Sequence, residues 1–150
     1  MSETLIISIL AASITAGTPI LFAALGELIA ERSGIMNLGV DGMMLVGAVT
    51  GFMITVNTGN PWFGVGMALA AGGLLALIHA YLTVTLRANQ VVSGLALTLF
   101  GSGLSDYLGK AYVGMRAEHT FGKLPIPGLS DIPIIGPVVF KQDILDRKSV

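Results

Sequence analysis

Charged residues divide the chain into long apolar stretches. Asp, Glu, Lys and Arg are all absent from Thr4 to Gly26, from Gly42 to Leu86 and from Ala88 to Ser105. A membrane-spanning α-helix needs about 20 predominantly apolar residues to cross about 30 Å of hydrocarbon. The uncharged stretches are long enough for such helices, so the pattern predicts that lipid is the solvent for most of the chain.

The predicted fold class is an all-α, polytopic membrane helical bundle that forms a single domain over residues 1–150. A Pro/Gly-rich external loop is predicted over 109–140, a region that holds four of the six prolines. Pairs of small residues one helical turn apart, such as Gly47 with Gly51 and Ala68 with Gly72, predict closely packed helices. The four predicted spans are 5–30, 35–56, 62–86 and 91–108.

Composition agrees with this pattern and narrows the function classes. Hydrophobic residues make up 53% of the chain and charged residues 11%, whereas soluble domains are about a quarter charged. The net charge of −1 leaves no basic excess for a nucleic-acid partner. The absence of cysteine excludes thiolate metal sites and cysteine nucleophiles.

The start of the second span carries unusual polarity. If that span began after Asp41, the 14 residues from Met43 to Val56 would reach only about 21 Å. A start at Ile35 gives about 33 Å but brings Asn37 and Asp41 to membrane depth. A polar turn at the membrane surface is the alternative, and the residues leave the two interpretations nearly even. A broken helix here would need its backbone groups bonded inside the protein.

Asn37 and Asp41 are four residues apart and would share one face of a continuous helix. An acidic side chain within a membrane is costly and indicates a functional site, so both are candidates for a translocation pathway. Glu27 and Glu31 show the same spacing, but the adjacent Arg32 favours an ion cluster at a helix end over an acid/base pair.

A second polar group precedes and opens the fourth span. Two interpretations are open: a cytoplasmic turn in which Asn89 caps the helix, or a contact with another subunit or with the pathway. The residues are Arg87, Asn89, Gln90 and Ser93.

Catalytic and metal-binding motifs are not found. Gly103 to Ala111 (GLSDYLGKA) resembles a phosphate-binding loop but has five intervening residues and Ala after the Lys. His79 and His119 lack an acidic partner at ligand spacing. We expect a hydrogen bond from His79 to a neighbouring helix, and we predict neither catalytic residues nor a metal site.

The short connections predict the orientation. Arg32 lies between the first two spans and Arg87 between the last two, whereas the connection over 57–61 is uncharged. The positive-inside rule then places both arginines in the cytoplasm, the N-terminus outside, and the Pro-rich loop outside.

Two stretches resemble a known family. ERSGIMNLGVDGMMLVGAV (Glu31–Val49) and RANQVVSGLALTLFGSGLSDYLG (Arg87–Gly109) are similar to integral-membrane permeases of ABC importers for branched-chain amino acids, simple sugars and nucleosides. The likeness is greatest to the shorter permease of nucleoside-type systems and runs from about Leu5 to about Leu145. Family members are roughly twice this length, so the chain resembles a permease that is truncated to its N-terminal half.

The resemblance implies a multi-pass protein of the cytoplasmic membrane that moves nucleosides or related small polar solutes, such as sugars, by alternating access. It implies a homologous second permease, cytoplasmic ATPase subunits and an extracytoplasmic lipoprotein binding protein as partners. It also implies no cofactor in this chain, because ATP is bound by the partner. In this setting the pathway candidates are Asn37, Asp41 and Ser93, and the subunit-contact candidates are Arg32, Arg87, Asn89 and Gln90.

Two other function classes remain open. An intramembrane Asp also suits a secondary transporter or channel that needs no ATPase. A non-transporting membrane scaffold is the third interpretation.

Overall fold

A computed structural model describes residues 3–118, and that part of the chain contains helices and no strand. The long helices are α1 (Glu3–Arg32), α2 (Val40–Thr58), α3 (Pro61–Ala80) and α4 (Gln90–Gly109). A π-helix (Tyr81–Thr85) extends α3, and a 3₁₀ turn (Lys110–Tyr112) follows α4. All four long helices have the length and apolar composition needed to cross a membrane, which confirms the predicted fold class.

Large apolar side chains on these helices point outward. Leu69 is 72% exposed and Leu99 is 74% exposed, and each lies in the middle of a candidate span. Burying such side chains in lipid removes the cost that water would impose on them. The exposed apolar surface is therefore what a bundle surrounded by lipid requires.

Contacts within the chain separate the first part of α1, up to Phe22, from a compact unit that runs from Ala23 to His119. In the described residues, the buried hydrophobic core lies in this second unit and consists of Met43, Val46, Leu75 and Leu97. These side chains come from α2, α3 and α4, with α2 in the middle.

α2 packs antiparallel to α3 and parallel to α4. Its contacts with α3 pair Gly51 with Gly64 and Gly47 with Ala68, so the residue numbers run in opposite directions. Its contacts with α4 run in the same direction, from Gly42 beside Leu97 to the Ser105 hydroxyl, which donates to the Leu45 carbonyl at 3.3 Å. The parallel pair places the first turns of α2 and α4 at one end of the bundle.

Glycine makes the α2–α4 contact possible. A Cβ built on Gly101 would lie 2.5 Å from the Gly42 Cα, and a Cβ on Gly42 would lie 2.5 Å from the Leu97 carbonyl oxygen. The backbones of the two helices therefore touch directly. Such close approach maximises van der Waals contact, which drives helix association where water is absent.

α2 begins later than the sequence predicted. The predicted span of 35–56 included a helical Ile35–Gly39, but these residues are not helical and α2 runs from Val40 to Thr58. Its 19 residues reach about 28 Å on their own. Helix length therefore no longer requires Asn37 to be part of the span.

The start of α3 follows its sequence signal closely. Asn60 caps the helix by accepting hydrogen bonds from the Trp62 amide at 3.0 Å and the Phe63 amide at 3.4 Å, with Pro61 next to it. Proline suits this first position because its missing N–H would have no partner in the helix.

Replacing Asn60 with alanine should lower the free energy of unfolding by about 1 kcal/mol, because two amides lose their acceptor. The change is measurable as a lower thermal midpoint of the purified protein in detergent. Asn60→Asp keeps the acceptor and is the control. An unchanged midpoint in Asn60→Ala would contradict the capping role.

The loop predicted over 109–140 begins within helical structure. Residues 109–112 are helical, and residues 119–140 of the loop predicted over 109–140 lie outside the described residues.

Candidate functional site

The clasped segment, residues 33–39, joins α1 to α2 and is the principal polar feature of the described bundle. α1 ends at Arg32, and the chain turns at Gly34, whose φ of +80° suits glycine. The Gly34 amide donates to the Glu31 carbonyl and the Ile35 amide donates to the Ala30 carbonyl. This pair of bonds is a Schellman cap, which turns the chain away from the helix axis. The remaining backbone groups of the segment need partners from elsewhere.

Gln90 of α4 supplies two of these partners. Its Oε1 accepts from the Met36 amide at 2.8 Å, and its Nε2 donates to the Gly34 carbonyl at 3.2 Å. A primary amide suits this role because it carries both a donor and an acceptor. Gln90 was a candidate for a contact with another subunit, but here it bonds within its own chain.

Glu27 and Thr98 hold the next two residues. The Asn37 amide donates to Glu27 Oε1 at 2.8 Å, and the Thr98 hydroxyl donates to the Leu38 carbonyl at 2.7 Å. The second carboxyl oxygen of Glu27 is buried and has no hydrogen-bond partner within the described residues. The ion cluster expected of Glu27, Glu31 and Arg32 does not form there, because Glu27 turns toward the segment instead.

His79 of α3 completes the clasp. The side chain is 3% exposed, with Nδ1 3.0 Å from the Ser93 hydroxyl and Nε2 3.4 Å from the Met36 carbonyl oxygen. A carbonyl oxygen only accepts, so the contact with Met36 requires a proton on Nε2, and the Ser93 hydroxyl can donate to or accept from Nδ1. The expected bond between His79 and a neighbouring helix is confirmed.

Asn37 closes the segment rather than sharing a helix face with Asp41. Its Oδ1 accepts from the Gly39 amide at 3.0 Å, and its Nδ2 lies 3.6 Å from the Met43 sulfur. This local bond competes with helix formation, which explains why α2 does not start earlier. Asn37 lies outside α2, so it does not share a helix face with Asp41.

The other predicted residues lie around the same end of the bundle. Asp41 is exposed in the first turn of α2, and Arg32 and Arg87 are exposed at the ends of α1 and of the α3 extension. Asn89 caps α4 by accepting from the Val92 amide at 3.1 Å, which bears out its capping interpretation. Among the pathway candidates, Ser93 and Asn37 are engaged inside the protein and Asp41 is open to the surroundings.

Sequence reasoning missed the roles of three residues. Glu27, His79 and Thr98 each bond the clasped segment. His79 and Thr98 lie in otherwise apolar stretches, and Glu27 lies at the charged end of α1. Polar groups inside membrane spans usually pair with each other or with backbone groups, so their presence was the available signal. Their partner could not be read from the sequence, because it lies 10 to 60 positions away.

An apolar groove of about 300 Å³ lies between α3 and α4, beside His79. Ser93 is the polar residue of its lining, and its hydroxyl is already bonded to His79. The groove therefore offers little to a polar solute. The residues that line it are Leu75, Ile78, Leu82, Ser93, Ala96, Leu97 and Phe100.

Comparison with known proteins identifies the family to which this helical bundle belongs. Residues 9–131 match the family described as the permease component of branched-chain amino acid transport systems. The chain belongs to this permease family. The match covers all four spanning helices from Ile9 onward, and with them the whole clasped segment. No solved structure matches the chain.

Relatives within the permease family carry named transport roles. The chain is 45% identical to a putative glucose ABC transporter permease protein of Haloferax volcanii, over 92% of this chain and 43% of the relative. It is 36% identical to a guanosine ABC transporter permease protein of Bacillus subtilis, over 89% of this chain and 45% of the relative. It is 32% identical to a nucleoside ABC transporter permease protein of Lactococcus lactis, over 85% and 43% respectively. The chain spans less than half the length of these relatives.

Proposed function

We propose that the chain is part of a permease subunit of an ABC importer that moves nucleosides or sugars across the cytoplasmic membrane by alternating access. The observation that carries the proposal is the family match over residues 9–131, together with relatives named for glucose, guanosine and nucleosides. The chain itself supplies apolar spanning helices with a polar, non-helical segment held between them.

The proposed partners follow from that role. A homologous second permease would complete the pore, cytoplasmic ATPase subunits would bind and hydrolyse ATP, and an extracytoplasmic lipoprotein would deliver the solute. This chain would need no cofactor of its own. Arg32 and Arg87 would face the cytoplasm under the positive-inside rule, and the N-terminus would lie outside.

Asp41 is the pathway candidate that the geometry favours most. It is exposed in the first turn of α2, next to the clasped segment, and its carboxylate makes no hydrogen bond or ion pair within residues 3–118. The position near a helix N-terminus stabilises its negative charge. Asn37 would act on the pathway indirectly, through the Gly39 amide that it bonds. Ser93 would act through the His79 side chain that it bonds.

Asp41→Asn should lower the uptake rate about tenfold, which corresponds to about 1.4 kcal/mol, because the charge facing the pathway is lost. Membrane insertion should be unchanged. The measurement is uptake of labelled solute by cells that carry the complete transporter. Asp106→Asn, which removes an exposed carboxylate from the last turn of α4, is the control and should retain full uptake. Equal uptake by both variants would remove Asp41 from the pathway.

Uptake of labelled guanosine and labelled glucose, with and without this gene, tests the proposed function itself. Loss of one solute in the deletion strain names the substrate class. The ABC mechanism further requires that uptake stop when cellular ATP is depleted while the membrane potential is kept. Uptake that continues under those conditions would favour a secondary transporter.

A further inference from the structure

The connection between α3 and α4 departs twice from regular helical geometry. Tyr81–Thr85 forms a π-helix, closed by a bond in which the Leu86 amide donates to the Tyr81 carbonyl at 3.2 Å. Arg87 follows with a φ of +52°. Within the described residues, no other non-glycine residue has a positive φ. π-turns are rare and occur mostly at functional sites, and left-handed backbone is costly for a residue with a Cβ.

The end of α1 shows what a relaxed version of this turn looks like. There Gly34 takes the left-handed position, and the next amide, that of Ile35, bonds a carbonyl five residues back. After α3, Arg87 takes the left-handed position, and the next amide, that of Ala88, bonds the Leu82 carbonyl six residues back at 2.9 Å. The second turn is the same cap with one extra residue wound into the helix.

Thr83 supports the extra residue from inside. Its side chain is 6% exposed, and its hydroxyl donates to the His79 carbonyl at 2.8 Å and to the Ala80 carbonyl at 3.4 Å. A widened turn disturbs the regular pairing of carbonyls one turn earlier, and this hydroxyl gives two of them a donor.

The surroundings leave room for the turn to rearrange. Val84, Leu86, Arg87 and Ala88 are all exposed, so little packs against them. On the inner side, Leu82 lines the groove of about 300 Å³ between α3 and α4. A change of helical register would therefore meet few packed neighbours.

We propose that the α3–α4 connection is a two-state hinge. One state is the π-helix seen here; in the other, Tyr81–Thr85 is a regular α-helix, and the released residue lengthens the connection before α4. Residues after Thr85 would rotate by about 100° around the axis of α3 and shift by about 1.5 Å. Arg87 would then leave the left-handed region.

The hinge reaches the clasped segment through Gln90. Gln90 lies three residues after Arg87 and bonds both Met36 and Gly34. One residue of slack in the connection allows the first turn of α4 to move without stretching the chain, which would free these two bonds. The hinge would thus set how firmly the clasped segment is held, whatever solute the protein carries.

Substitutions with opposite expected effects test the hinge. Arg87→Gly removes the cost of the left-handed backbone and should favour the π-state by roughly fivefold to thirtyfold. Thr83→Val removes the supporting hydroxyl at nearly constant volume and should favour the α-state. Thr83→Ser keeps the hydroxyl and should behave like the unsubstituted protein.

The measurement is the distance between spin labels on Leu69→Cys and Ala88→Cys in lipid bilayers. The native chain has no cysteine, both positions are exposed, and the helical stretch from Leu69 to Thr85 spans about 24 Å. We expect two distances in the parent, one in Arg87→Gly, and an enriched second distance in Thr83→Val.

Arg87→Val guards against misfolding of the buried Thr83 variant. The side chain at position 87 is exposed, so Arg87→Val should fold normally. A β-branched residue resists positive φ, so Arg87→Val should enrich the second distance, as Thr83→Val does. A single, identical distance in the parent, Arg87→Gly and Arg87→Val would overturn the proposal. The labels report backbone geometry without solute, so this outcome is independent of whether the protein transports nucleosides or sugars.

Discussion

Gly101→Ala is expected to abolish the packing of α2 against α4. The added methyl group would overlap the Cα, the carbonyl carbon and the carbonyl oxygen of Gly42, each within 2.6 Å. These are backbone atoms, so no flexible side chain can move aside, and the two helices must separate. Overpacking costs about 1–3 kcal/mol and occasionally more. We expect about 3 kcal/mol or more here, enough to deplete the folded state.

Gly103→Ala is the matched control on the same helix. A Cβ at Gly103 would have no neighbour within 4 Å, so this variant should fold normally and gain slightly from the better helix propensity of alanine. The comparison is the yield of monodisperse protein in detergent and its thermal midpoint. Similar midpoints for the two variants would show that the glycine contact is not what holds α2 to α4.

His79→Leu should have the second largest effect on stability. The leucine nearly fills the volume but leaves the Ser93 hydroxyl and the Met36 carbonyl without their partner inside the bundle. An unsatisfied buried polar group costs about 1–3 kcal/mol. Both of these contacts are partly buried, so we expect about 1 kcal/mol for each lost bond. The loss should appear as a lower unfolding midpoint and as faster proteolysis between α1 and α2, because Met36 belongs to the clasped segment.

A double-mutant cycle separates the histidine–serine bond from general damage. Ser93→Ala combined with His79→Leu should be less destabilised than the sum of the single variants, by about 0.5–3 kcal/mol. His79→Leu combined with Asn60→Ala is the reference, because Asn60 lies at the opposite end of α3 and the two effects should add. Full additivity in the first pair would mean that His79 and Ser93 are not coupled.

Local signals in the sequence predicted most of the helical architecture. α3 and α4 each begin within one residue of the predicted start, since Asn60 and Asn89 are strong capping residues that directly precede apolar runs. The apolar windows predicted the number of spans because lipid demands uninterrupted apolar length. The small-residue pairs predicted close packing of the helices, and Gly47, Gly51 and Ala68 lie where α2 meets α3.

The clasped segment could not be predicted in the same way. The start of α2 depended on whether the backbone groups of residues 35–39 bond within the helix or to distant side chains. They bond to distant side chains, including those of Gln90 and Thr98. Nothing local distinguishes a polar residue that faces a pathway from one that bonds the backbone of another segment. The π-helix after α3 had no local signal either. Threonine occurs in many local structures, and the sequence does not show that the Thr83 hydroxyl bonds the His79 and Ala80 carbonyls.

The distance along the chain between the clasped segment and its partners has a consequence for biosynthesis. Thr98 lies 60 positions after Leu38, and Gln90 lies 54 positions after Met36. At about 5–20 residues per second, the ribosome takes roughly 3–12 s to make that stretch. Until α4 arrives, water is the available partner for these backbone groups, because a lipid-exposed irregular backbone is too costly. The junction of α1 and α2 should therefore stay at the aqueous surface while α3 inserts, and enter the bundle only with α4.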